Sequence, residues 1–231
     1  MNIIITGASR GIGKAIAVAF NQKNNRLILC ARNKTALNET ATALKQTKAA
    51  EVEIFSADLS IKTETEAFAQ FCLGFGIPGI LINNAGVYIA GNVADEHEGS
   101  LEKMMDTNLY SAYHLTRALL PSMIKNASGH IFNICSVASL QPYEGGGGYS
   151  ISKYAMNGFS QNLRHELKDK GIKVTTVFPG AVMTDSWAGF NNSDKRIMEA
   201  IDIAQMIYAA SLLSPQAVVE DLVLRPQKGD L

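Results

Sequence analysis

No stretch of the chain approaches the ~18 uninterrupted apolar residues of a membrane-spanning helix, and residues 2–6 read as a strand where a secretory signal would place a basic and then an apolar segment. The expectation is a cytoplasmic protein with no membrane partner. Cysteine is scarce. Cys30, Cys72 and Cys135 are odd in number and scattered through apolar runs, which suits buried thiols in a reducing compartment better than a disulfide framework or a metal cage. Net charge is missing too: 21 basic and 21 acidic side chains leave no overall field to favour nucleic acid or an anionic surface. Acid is absent locally, since residues 1–38 hold none while Arg10, Lys14, Lys23, Arg26, Arg32 and Lys34 supply bases.

What is present is the material of one domain spanning residues 1–231, with 47% apolar and 18% charged residues. Short β-branched runs at 2–6, 26–31, 51–56, 79–83, 130–135, 173–178 and 218–224 alternate with longer helical patterns. In the latter, apolar residues recur at three and four, as in Leu109, Ala112, Thr116, Leu119 and Met123, or Ala155, Phe159, Leu163 and Leu167. This alternation predicts an α/β protein with a doubly wound, Rossmann-type sheet of seven parallel strands and helices on both faces. Ile3-Ile4-Ile5 and Leu27-Ile28-Leu29 are apolar on consecutive positions, as strands covered on both faces should be.

Between the first strand and a helix running to about Gln22 lies Thr6-Gly7-Ala8-Ser9-Arg10-Gly11-Ile12-Gly13. Glycines there allow a tight turn and close backbone approach, and the N–H groups of the following helix can face a pyrophosphate. At the end of the second strand an acid would accept hydrogen bonds from the adenosine ribose of NAD. The sequence has Cys30-Ala31-Arg32-Asn33 instead. Arg32, backed by Arg10, suits a 2′-phosphate by charge and fork geometry, so NADP(H) is preferred over NAD(H); two solvated surface arginines are the plainer alternative.

Tyr149 and Lys153 stand four apart, so a helix stacks them on one face about one turn apart, and Ser136 precedes the tyrosine by thirteen residues. A free tyrosine titrates near ~10, so proton exchange near neutrality needs a drop of roughly three units, about 4 kcal/mol. A neighbouring ammonium gives that sign of shift. Taken alone, a tyrosine and a lysine four apart also describe a packing ring and a solvated charge.

In one fixed order the chain carries the glycine loop, Asn83-Asn84-Ala85-Gly86, Asn108, Ser136, Tyr149-x-x-x-Lys153 and Pro179-Gly180. Together these resemble the short-chain dehydrogenase/reductase family over essentially the whole chain. The resemblance implies that Tyr149 is the general acid/base, that Lys153 lowers its pKa and holds the nicotinamide ribose, that Ser136 hydrogen-bonds the substrate oxygen, and that Asn108 positions a water on a proton relay. It further implies cofactor contacts from Gly7, Ser9, Arg10, Gly11, Ile12, Gly13 and Arg32, from Asn84, Ala85 and Gly86, and from Pro179, Gly180, Val182 and Thr184. Asp58 and Leu59 resemble the family's adenine contact, with a simple turn role for Asp58 and a helix cap at Ser60 as alternatives.

The implied reaction is hydride transfer between nicotinamide and a small carbonyl or secondary alcohol. An NAD-linked dehydrogenase and a non-catalytic dinucleotide sensor remain the alternatives. A substrate loop is expected at about 181–198, and Tyr88, Tyr143, Met183, Trp187 and Phe190 are candidates to line a partly apolar pocket. The run Gly145 to Gly148 either opens room for a bulky substrate or is only an adaptable loop. The family resemblance also implies a homodimer or homotetramer paired through helices at about 106–126 and 149–170.

Overall fold

The computed structural model describes every residue except Lys48, Ala188 and Leu231. Its strands are β1 (Asn2–Thr6), β2 (Arg26–Ala31), β3 (Glu51–Ser56), β4 (Pro78–Asn83), β5 (Gly129–Ile134), β6 (Ile172–Pro179), β7 (Val182–Met183), β8 (Met198–Glu199) and β9 (Asp221–Leu224). Seven of them form one sheet in the order β3-β2-β1-β4-β5-β6-β9, and every neighbouring pair in it is parallel. The order reverses at β1, which pairs with β2 on one side and β4 on the other. Such a reversal opens a crevice at the carboxyl ends of the strands.

The consecutive apolar residues divide between two layers because neighbouring side chains in a strand point to opposite faces. The helices are α1 (Gly11–Ala19), α2 (Lys34–Gln46), α3 (Lys62–Leu73), α4 (Ser100–Met105), α5 (Ser111–Asn126), α6 (Gly147–Leu167) and α7 (Ala200–Ser211). Ile3, Ile5, Leu27 and Leu29 pack with Ile16 of α1, Leu37 of α2 and Ile207 of α7. Ile4, Ile28, Leu81 and Val174 pack with Phe68 of α3, Leu119 of α5 and Leu163 of α6. The sheet is therefore covered by helices on both faces.

Three local features differ from the sequence pattern. β9 begins at Asp221 rather than 218, because the chain ahead of it is held by side chains: Thr175 Oγ1 donates to the Val219 carbonyl at 2.6 Å. β7 and β8, each two residues long, pair in parallel and join the ends of the 181–198 segment, of which Ala188 lies outside the described residues. The helix expected at 106–126 starts earlier, with α4 continuing through a π-helical turn at Asp106–Tyr110 into α5.

Candidate active site

The turn from β1 to α1 is shaped by close approach. A Cβ on Gly13 would stand 2.2 Å from the Gly7 carbonyl oxygen, so only glycine lets α1 pack onto the turn, and Gly7 itself has φ +65°. Asn84 Nδ2 donates to the carbonyls of Thr6 at 2.8 Å and Gly7 at 3.2 Å, while Thr6 Oγ1 accepts from the N–H groups of Asn84 and Ala85, both at 2.9 Å. Thr6, absent from the sequence-derived set, thus ties the glycine loop to the segment after β4. Ser9 is anchored through its carbonyl by Thr40 Oγ1 at 3.1 Å, and Ile12 packs on the core. α1 has no capping side chain and no acid in its first turn. Its N–H groups and positive dipole end therefore fit a diphosphate.

The two arginines assigned to a 2′-phosphate both have carboxylate neighbours. Arg10 Nη1 lies 2.6 Å from Asp185 Oδ2, and Arg32 Nη1 lies 3.7 Å from Asp58 Oδ2. All four groups are partly or largely exposed, so these pairs are weak and exchangeable. Asp58 also accepts from Ser60 N at 3.0 Å and Ser60 Oγ at 2.7 Å. Burial pushes its carboxyl up, but the Ser60 hydrogen bonds and the Arg32 guanidinium outweigh this and hold it below the ordinary aspartate value. Asp58 therefore makes the turn, and the cap of α3 is Ile61 rather than Ser60, with no side-chain bond. Leu59 is buried beside it.

Ser136, Tyr149 and Lys153 come together at the carboxyl end of β5. Ser136 lies close enough to the Tyr149 phenol to act on its titration, and Ser136 Oγ accepts from Ala138 N at 3.1 Å. Lys153 is buried, with Nζ 5.8 Å from the Tyr149 ring centroid and donating to the Ile134 carbonyl at 2.9 Å. The expected depression of the phenol is not what these groups produce. Burial dominates and pushes Tyr149 up to about 12, against a smaller lowering by Ser136. The same burial pushes the Lys153 ammonium down. A cation set over the ring and itself desolvated cannot offset the loss of water around the hydroxyl.

Asn108 sits in the π-helical turn and is buried, but its side chain is directed to the chain after β4. Its Oδ1 accepts from Val87 N at 2.7 Å, and its Nδ2 donates to the Val87 carbonyl at 3.0 Å and to Ser152 Oγ at 2.9 Å. A Cβ on Gly86 would stand 3.2 Å from Asn108 Oδ1 and 3.7 Å from Lys153 Nζ, so glycine keeps open the space between those two groups. On the other side, Ser136 Oγ lies 3.5 Å from the Pro179 carbonyl, Gly180 N donates to Leu224 O at 2.8 Å, and Val182 belongs to β7. Thr184 rests against the glycine loop, its Cγ2 3.1 Å from where a Gly11 Cβ would be.

The Gly145–Gly148 run packs against a segment that the sequence did not mark. Gly91 N donates to Gly145 O at 3.1 Å, Gly145 N donates to Asn92 Oδ1 at 2.8 Å, and Glu96 Oε2 accepts from Gly148 N at 3.0 Å. A Cβ on Gly147 would lie 2.5 Å from Gly91 O. The run therefore serves tight packing at the start of α6, with a carboxylate at the helix N-terminus. Beneath the site, Asn83 Nδ2 donates to Thr116 Oγ1 at 2.9 Å and Asn133 Oδ1 at 2.8 Å, and Asn133 Nδ2 donates to Ser160 Oγ at 2.8 Å. This buried polar chain links β4 and β5 to α5 and α6; single polar residues inside apolar patterns were its only signal. Among the described residues no group of three or more His, Cys, Asp or Glu side chains could hold a metal ion, and no helix is long and apolar enough to cross a membrane.

The family description short chain dehydrogenase matches residues 1–195, and the chain belongs to that family of oxidoreductases. An oxidoreductase of Staphylococcus epidermidis is 31% identical over 224 residues, covering 96% of each chain. Among solved structures, the alcohol dehydrogenase of the archaeon Thermococcus sibiricus, complexed with 5-hydroxy-NADP, is similar with a TM-score of 0.91 at 28% identity, covering 98% of this chain and 96% of that one. A metagenomic short-chain oxidoreductase in complex with NADP has a TM-score of 0.86 at 30% identity, covering 98% of this chain and 97% of that one.

Proposed function

We propose that the protein is an NADP(H)-dependent oxidoreductase that interconverts a small carbonyl compound and its alcohol, with Tyr149 as the general acid/base. The observation that carries this reading is the buried Lys153 ammonium 5.8 Å from the Tyr149 ring, one helical turn on, with Ser136 beside the same phenol. Gly7, Ser9, Gly11, Ile12 and Gly13 would hold the cofactor's diphosphate, with Asn84, Ala85, Gly86, Asp58 and Leu59 along the adenosine side and Pro179, Gly180, Val182 and Thr184 along the nicotinamide. When bound, the nicotinamide supplies or takes the hydride.

The chain's own groups handle the proton. Tyr149, pushed up to about 12, is held as a neutral phenol and donates to the substrate oxygen as negative charge develops there. Ser136 adds a hydrogen bond to that oxygen. Lys153 sets a positive charge behind the phenol as its proton leaves, and Asn108 fixes the Val87 backbone that walls the site.

Preference for NADP(H) is supported by Arg10 and Arg32 and by the NADP species named for the two structural neighbours. An NAD-linked enzyme is the second reading, since Asp185 and Asp58 already occupy those guanidiniums. Three buried free thiols fit a cytoplasmic place. Following NADPH absorbance with a carbonyl panel tests the assignment. Tyr149→Phe should lower kcat by roughly 10²–10⁴-fold with NADPH affinity retained; unchanged turnover would refute it.

A further inference from the structure

We propose that Tyr88 and Tyr143 form the substrate wall of this site and select a carbonyl compound bearing an apolar ring over an open-chain polyhydroxylated or anionic one; the inference rests on the oxidoreductase reading above. Tyr88 remains 44% exposed, yet its ring meets that of Tyr149 edge to face, with centroids 5.0 Å apart and planes at 85°. Tyr143, 46% exposed, lies near Tyr88, close enough for the two phenols to act on each other. Their exposed ring surfaces are what the two residues offer a substrate beside the reacting hydroxyl.

Both rings are carried on held backbone. Tyr88 follows Val87, whose N–H and carbonyl are both bonded by Asn108, at 2.7 and 3.0 Å. The Tyr143 carbonyl accepts from Gly146 N at 3.1 Å, and a Cβ on Gly146 would strike the Tyr143 ring at 2.9 Å. A wall positioned this way costs little further ordering when a flat apolar body settles on it. Charge at the phenol is sparse: the groups that shift Tyr149 are Ser136, Cys135 and Tyr88. The buried cation behind the ring, Lys153, is already bonded to the Ile134 carbonyl at 2.9 Å. A substrate carboxylate would lose its water here without gaining a guanidinium, and a polyol would find too few side-chain partners.

The test compares 1-tetralone and cyclohexanone with glyceraldehyde and pyruvate, by NADPH absorbance, in wild type, Tyr88→Ala and Tyr88→Phe, with tetralone binding followed by calorimetry. NADPH titration of each variant reports that its fold is intact. The ring ketones should lead in kcat/KM by about tenfold or more, Tyr88→Ala should raise the tetralone KM and Kd about tenfold, and Tyr88→Phe should retain the preference. Turnover that favours glyceraldehyde or pyruvate, or a preference untouched by Tyr88→Ala, would overturn the aromatic wall and leave the oxidoreductase reading standing. Failure to turn over any carbonyl would refute that reading and the substrate class with it.

Discussion

Tyr149 and His130 are shifted by burial in opposite directions, and each shift carries its own pH dependence. With its phenol pushed up to about 12, Tyr149 stays protonated through neutral pH, so reduction rates should be flat there. Alcohol oxidation needs the phenolate, so its rate should rise by about one log unit per pH unit toward the alkaline side, and a pH-rate profile in both directions checks this. His130 is buried against Phe132 and lies 2.7 Å from Thr175 Oγ1. Because that hydroxyl donates to Val219 O, the histidine Nε2–H must be the donor. Burial, with help from Lys173, pushes His130 down to about 3. The folded state therefore resists a proton that the unfolded chain takes up near ~6.5, and stability is lost as pH falls through that window, by up to about 1.4 kcal/mol per unit. Urea unfolding at pH 7.5 and 5 should show the loss, and His130→Gln should flatten it. The spacing of Tyr149 and Lys153 was legible in the sequence, but the sign of the tyrosine shift was not, because it depends on how completely tertiary packing strips water from both groups.

At the level of elements, β1 and β2 were legible to the residue because consecutive apolar positions end in turn-forming residues, and β3 because Val52, Ile54 and Phe55 mark a short β-branched and aromatic run. The β7–β8 pair was not, since two residues carry no period. The glycine loop was legible from its place between strand and helix, and its packing makes a firm prediction. Gly13→Ala would force a methyl to 2.2 Å from the Gly7 carbonyl, so it should destabilise the protein by about 1–3 kcal/mol in denaturant titration and weaken NADPH binding. Glu96 was invisible, because it lies in an aperiodic stretch and acts only once Gly148 is brought to it, at 3.0 Å. Glu96→Ala removes the carboxylate from the start of α6 and should cost about 1 kcal/mol in thermal unfolding. Reduced kcat should accompany that loss, since Tyr149 lies in the first turn of α6.

Across the whole molecule, the π-helical turn exposes Tyr110, α5 exposes Tyr113 and α6 exposes Ile151 and Tyr154, all within the stretches that the family resemblance marks for pairing. A second copy meeting this face would give a homodimer or homotetramer. Sedimentation should therefore find an oligomer, and Tyr154→Glu should shift it toward monomer. Cofactor choice also belongs to this scale, because Arg10 and Arg32 come from separate turns and each already faces an acid. Arg32→Ala should lower the NADPH-over-NADH preference by about tenfold in Kd titrations, through loss of a charge-assisted contact. The central claim is proton transfer by Tyr149, and the most direct measurement is single-turnover NADPH oxidation with a ring ketone in wild type and Tyr149→Phe at matched cofactor saturation. The account predicts a fall of roughly 10²–10⁴-fold in the variant; equal single-turnover rates would contradict it.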